Sequence, residues 1–124
     1  MESNELIKKV IQICYEVHNE LGCGYVEKVY ENSLLIALRE AGLEAVAQRA
    51  IAVSFRGWVV GEFFIDILVE DRLLVELKAV SGIGSIHKAQ LLNYLKAANQ
   101  ETGLLVNFGT LKPEVKRLYN QHVV

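Results

Sequence analysis

The sequence predicts an α/β protein in which a mixed β-sheet is flanked by helices. The predicted elements follow the order helix, helix, strand, strand, strand, helix, strand, helix, which suits such a layered architecture. Two apolar strands near the middle of the chain carry alternating side chains and are joined by a short charged turn. A later strand is apolar at consecutive positions, which is typical of a strand buried on both faces and favours a parallel neighbour.

Length and charge narrow the class of protein. The chain has 124 residues, of which 52% are hydrophobic, and we expect one domain spanning residues 1–124. A formal net charge of −2 argues against a protein that coats DNA, so any contact with nucleic acid is expected to be local.

Composition also bears on location. No apolar run reaches the length of a membrane span, and the N-terminus lacks a signal-peptide pattern, so we expect no membrane insertion and a cytoplasmic location. Cys14 and Cys23 show no metal-ligand spacing and are expected to be reduced thiols, with a disulfide as the alternative.

Two helices are predicted at the start of the chain. Ser3 or Asn4 caps the first helix, whose apolar residues recur at helical spacing until Gly22 ends it. The second helix is predicted over residues 26–41, where Gly42 stops it.

Three strands follow, predicted over residues 44–55, 58–69 and 73–80. In the second strand the odd positions are all apolar or small, whereas the even positions include Glu62 and Asp66. This alternation predicts one apolar sheet face and one face with functional potential.

The turn between the second and third strands sets their register. If residues 70–72 form a three-residue loop, Val69 faces Leu73 and Asp66 faces Glu76, and residues directly opposite each other point to the same side. A two-residue loop without a bulge would place the two carboxylates on opposite faces. We therefore predict the three-residue loop, or a bulge with the same effect.

Three elements are predicted in the C-terminal part. Ser85 is expected to cap a helix over residues 86–99, and the apolar strand is expected over residues 103–108. Pro113 fits the first turn of a last helix that runs through Tyr119.

The central hairpin carries charged residues inside apolar strands. Asp66 and Glu76 supply two carboxylates, and Mg²⁺ or Mn²⁺ prefers oxygen ligands, to which the Leu77 carbonyl could add another. Lys78 lies on the same face as Glu76 and could stabilise phosphate charge or orient a water molecule. The alternative is a Glu–Lys pair on a solvated sheet face.

Three motifs in order resemble one family. Asp66, nine intervening residues and then Glu76-Leu77-Lys78 resembles the PD-(D/E)XK nuclease motif, although Ile65 stands where the motif's name has proline. Residues 24–30 fit G-x-x-E-x-x-Y, the signature of the GxxExxY family of PD-(D/E)XK-like proteins. Residues 90–94 resemble the Q-x-x-x-Y motif of the RecB-like branch. The resemblance covers nearly the whole chain.

The resemblance implies a restriction-endonuclease-like core and a nuclease that uses Mg²⁺ or Mn²⁺ to act on DNA or RNA. It implies that Asp66, Glu76 and Glu27 hold the metal and that Lys78 is the catalytic lysine. Gln90 and Tyr94 would line the site from the following helix, where they are i,i+4 neighbours.

Other interpretations stay open at this stage. The nuclease fold could serve a catalytically silent binding or regulatory module in a homodimer or with a partner protein. Gln90 and Tyr94 would then form an ordinary polar helix edge. His18 and His87 could contact phosphate or serve structure. Four basic residues could form a patch that binds the phosphates of nucleic acid or could be scattered surface charge: Lys88, Lys96, Arg49 and Arg56.

Overall fold

The computed structural model describes residues 1–121 and 123 and contains a five-stranded sheet in the order β1-β2-β3-β4-β5. Neighbouring strands are antiparallel except for β3 and β4, which are parallel, so the predicted mixed sheet flanked by helices is confirmed. No helix in these residues is long and apolar enough to cross a membrane. The elements are α1 (Ser3–Leu21), α2 (Glu27–Glu40), β1 (Ala45–Phe55), β2 (Trp58–Val69), β3 (Leu73–Lys78), α3 (Ser85–Ala98), β4 (Thr102–Asn107) and β5 (Glu114–Tyr119).

The sheet separates two apolar cores. One core lies on the side of α1 and α2, and the other lies on the side of α3. In β4, Leu104 and Val106 belong to the first core and Leu105 to the second, and all three are fully buried. The prediction of a parallel strand buried on both faces is therefore confirmed.

The prediction of a last helix from Pro113 to Tyr119 is wrong. Residues 114–119 form β5, which pairs antiparallel with β4. Val115 packs on the α1 and α2 side, whereas Leu118 packs on the α3 side. Val115 and Leu118 are three residues apart, which would place them on one face of a helix but places them on opposite faces of a strand. The segment forms a strand because it pairs with β4.

The turn between β2 and β3 has the predicted form. Val69 pairs with Leu73, so residues 70–72 form the loop, and pairing continues as far as Ile67 with Val75. The ladder stops there, immediately before Asp66 reaches Glu76.

The predicted uniform alternation along β2 breaks at Asp66. Ile67 and Val69 face α1 and α2 as part of the first core, but Ile65 joins Leu68 in the core under α3. Gln48 on β1 lies between the pairs Ala47–Ile67 and Arg49–Ile65, opposite Asp66, and has a φ of 55°. A positive φ is unusual for a residue other than glycine, and here it coincides with the change of face.

Candidate active site

Asp66 and Glu76 meet where β2 and β3 part. The Asp66 backbone N–H donates to Glu76 Oε1 at 3.0 Å, and the Leu77 backbone N–H donates to Asp66 Oδ2 at 2.9 Å. Each carboxylate thus takes the place of a backbone carbonyl in the interrupted ladder. These reciprocal bonds hold the two side chains beside each other and satisfy backbone donors that would otherwise be costly to bury.

The carboxylate pair is electrostatically strained. Glu76 is only 5% exposed. Burial, followed by the negative charge of Asp66, raises the pKa of Glu76 to about 8. Burial also raises the pKa of Asp66, although the hydrogen bond from Leu77 opposes the shift. A bound cation would relieve this repulsion.

Lys78 is held by α3 rather than by Glu76. Its Nζ donates to Gln90 Oε1 at 3.2 Å, and Gln90 Nε2 donates to the Tyr94 hydroxyl at 2.9 Å. Within residues 1–121 and 123 the salt bridge is between Lys28 and Glu31, so the solvated Glu76–Lys78 ion pair is absent. Gln90 and Tyr94 therefore link α3 to the lysine, as an i,i+4 pair can.

Tyr94 also lies within electrostatic reach of the two carboxylates. Burial raises the pKa of Tyr94, and the charges of Glu76 and Asp66 raise it further. Its ring stacks on Phe63 with centroids 3.8 Å apart. The structure thus brings five of the six predicted site residues into one neighbourhood: Asp66, Glu76, Lys78, Gln90 and Tyr94.

Glu27, the sixth, approaches from the start of α2. Burial raises its pKa, and the charge of Asp66 adds to the shift while Lys78 opposes it. The side chain is therefore within electrostatic reach of the pair.

Tyr30 fixes the turn that leads to Glu27. The Tyr30 hydroxyl donates to the Gly22 carbonyl at 2.5 Å and accepts from the Tyr25 N–H at 3.3 Å. Gly22 has a φ of 73° and Gly24 a φ of 115°, which are conformations that glycine adopts readily. The tyrosine of the G-x-x-E-x-x-Y segment therefore positions the start of α2.

The two carboxylates, Asp66 and Glu76, fit a Mg²⁺ site that has few protein ligands. Among the described residues no group of three or more His, Cys, Asp and Glu side chains is arranged to hold a metal ion, so Glu27 does not complete a three-residue cluster. Asp66 and Glu76 remain two hard carboxylates with raised pKa values. Mg²⁺ usually keeps several waters and uses one or two carboxylates together with substrate phosphate.

Two residues of the site were missed in the sequence. Gln48 Nε2 donates to Glu31 Oε1 at 2.7 Å and reaches Asp66 Oδ1 at 3.5 Å. Glu31 is 4% exposed and is also bonded to Lys28. Glu31 follows Glu27 by four residues, so helical spacing could have revealed it, whereas the backbone turn at Gln48 left no sequence signal.

His18 and His87 both make hydrogen bonds to the backbone. His18 is buried, its Nε2 lies 2.8 Å from the Thr110 carbonyl, and its ring stacks on Phe108. Gly84, rather than the predicted Ser85, is the N-cap residue of α3, and His87 Nδ1 accepts its backbone N–H at 2.9 Å.

The raised pKa of Glu76 predicts how stability depends on pH. Folded Glu76 keeps its proton to about pH 8, whereas the unfolded residue loses it near 4.5. The stability that this proton contributes is complete below pH 4.5 and is lost as pH rises to about 8. In metal-free buffer, we expect the free energy of unfolding to fall over this range and the fall to be smaller in Glu76→Gln.

Urea denaturation across this pH range measures the effect. Glu62→Gln is the matched control because Glu62 is an exposed carboxylate on β2. The same pH slope in wild type and Glu76→Gln would contradict a proton held by Glu76.

The opened strands with their carboxylate pair and lysine define a protein of the restriction-endonuclease-like fold class. The model of the PD-(D/E)XK nuclease superfamily matches residues 4–118 of the 124-residue chain, and the chain belongs to this superfamily. Searches of curated proteins and of solved structures gave no significant match.

Proposed function

We propose that this protein is a metal-dependent nuclease of the GxxExxY family, with the Q-x-x-x-Y arrangement of the RecB-like branch, that hydrolyses phosphodiester bonds in DNA or RNA. The observation that carries the proposal is the pair Asp66 and Glu76, held by reciprocal backbone bonds where β2 and β3 separate. Membership of a nuclease superfamily supports the same activity.

The roles follow from the contacts. Asp66 and Glu76 would hold Mg²⁺ or Mn²⁺. Glu27, at the start of α2, would add its negative charge to the site. The metal would supply charge stabilisation at the scissile phosphate and an activated water. Lys78 would orient the attacking water and stabilise phosphate charge, because its ammonium group donates hydrogen bonds and its positive charge acts on both carboxylates of the pair. Gln90 and Tyr94 would keep Lys78 in place.

One observation favours the second candidate, a catalytically silent module in a homodimer or with a partner protein. The tip of the β1–β2 hairpin exposes large apolar side chains, with Trp58 76% and Val59 69% exposed. Apolar patches of this kind often mark protein interfaces.

A cytoplasmic location also remains our proposal, in keeping with Cys14 and Cys23 as free thiols.

A cleavage assay separates the two candidates. The purified full chain is incubated with labelled single- and double-stranded DNA and RNA in Mg²⁺, Mn²⁺ or EDTA. We expect cleavage only with metal, reduced about 100-fold or more in Asp66→Asn because one carboxylate of the pair is lost.

Asp71→Asn is the matched control, since Asp71 is exposed in the turn after β2 and has a φ of 56°, which asparagine tolerates. Equal activity in Asp66→Asn and wild type, or no cleavage of any substrate, would reject the nuclease proposal.

A further inference from the structure

A groove adjoins the candidate active site between the β1–β2 hairpin and α3. Its volume is about 610 Å³, within the range of ligand-binding pockets. Ser54 and Phe63 line it from the hairpin, and Asn93, Tyr94, Lys96 and Ala97 line it from the helix.

The groove is continuous with the lysine network. Tyr94 lies in the wall of the groove and accepts the hydrogen bond from Gln90, which in turn binds Lys78. An α-helix rises about 1.5 Å per residue, so Tyr94 lies roughly 6 Å along α3 from Gln90. A chain of nucleotides with one phosphate beside Lys78 would therefore pass the groove within a nucleotide or two.

The lining has the chemistry that binds a base and its phosphate. Phe63 and Tyr94 form a stacked pair with rings 9° from parallel, and both side chains are partly exposed. The exposed Asn93 amide offers both a donor and an acceptor, and Lys96 supplies an exposed ammonium group. Among the described residues that line this groove none is acidic, in contrast with the carboxylate pair nearby.

We propose that this groove binds an unpaired nucleobase next to the scissile phosphate, so that the substrate is single-stranded nucleic acid or an unpaired end. This inference rests on the proposed nuclease function. A base in a duplex is stacked on both sides and paired along its edge, whereas an unstacked base can lie against aromatic rings and bond an amide. Lys96 would contact the phosphate of that nucleotide.

Binding without cleavage tests the groove independently of catalysis. Fluorescence anisotropy in EDTA compares a short labelled oligothymidylate with a duplex of the same length. We expect the wild type to bind the single strand more tightly. Ala97→Trp, which fills the groove, and Asn93→Ala, which removes the amide, should each weaken single-strand binding about tenfold and leave duplex binding unchanged.

Neither variant changes a residue of the carboxylate–lysine site. Circular dichroism checks the fold of Ala97→Trp, and Asn93→Ala carries the test if the tryptophan disturbs packing. Asn19→Ala is the matched control, since Asn19 is exposed on α1.

The outcomes separate the two proposals. Single-strand binding that both variants leave unchanged overturns the groove, as does equal binding of duplex and single strand. Metal-dependent cleavage of duplex with no effect of either variant would retain the nuclease and overturn the groove. Groove-dependent single-strand binding without cleavage would support the groove and reject the nuclease.

Discussion

Lys78→Met is expected to lower metal-dependent cleavage by about 100-fold or more while the protein stays folded. The positive charge of Lys78 acts on both carboxylates of the pair, and its loss removes the donor that would orient water and phosphate. Methionine keeps the length and apolar stem of the side chain, so packing should change little. The initial rate of cleavage of the best substrate, compared at equal protein concentration, measures the effect.

Two further variants sharpen this prediction. Lys78→Arg keeps a positive charge and hydrogen-bond donors, so it should retain more activity than Lys78→Met. Lys112→Met is the matched control because Lys112 is exposed in the loop before β5. Cleavage by Lys78→Met within a few-fold of wild type would show that Lys78 has no part in the chemistry.

Gly109→Ala is expected to cause the largest loss of stability, about 3 kcal/mol. A Cβ at Gly109 would lie 2.5 Å from the Val80 backbone nitrogen, 2.8 Å from the Ala79 carbonyl carbon, and closer still to the Val80 carbonyl oxygen. These neighbours are backbone atoms that cannot turn aside. Asn107 fixes the same segment, since its side chain bonds both the N–H and the carbonyl of Val80 at 3.0 Å.

Thermal and urea unfolding measure this loss, which corresponds to a fall in Tm of about 10 °C or more. Gly61→Ala is the matched control: Gly61 lies on β2 with nothing within 4 Å of its would-be Cβ and no positive φ. We expect Gly61→Ala to change stability by no more than about 1 kcal/mol. Similar stability of the two variants would mean that the backbone beside Lys78 can move to make room.

The hairpin register could be predicted because side-chain parity and loop length determine it together. Once residues 70–72 formed the loop, Val69 had to face Leu73, and Asp66 and Glu76 had to approach each other. The prediction failed at β5 because it rested on Pro113, which fits the first turn of a helix, and because Val115 and Leu118 fit a helix face as well as two sheet faces. Pairing with β4 makes this segment a strand. The residues of a six-residue segment do not by themselves reveal pairing with another strand.

The supporting residues of the site were the harder part. Gln48 contacts Glu31 and Asp66 from a position in β1 where φ is 55°, and nothing in the residues around it signals that conformation. Tyr30 was recognised through its motif, but its role as the anchor of the Gly22 turn needed the fold. Local sequence thus revealed residues that carry charge, while tertiary contacts revealed those that hold them.

The central claim is that Asp66 and Glu76 together hold a divalent cation. Calorimetric titration of Mn²⁺ into the metal-free protein at about pH 8 tests it most directly, because the raised pKa of Glu76 disfavours its ionised form at lower pH. We predict saturable binding in the wild type and in Asp71→Asn, and loss of binding in Asp66→Asn and in Glu76→Gln. Absence of binding in the wild type, or binding that survives both substitutions, would contradict the claim.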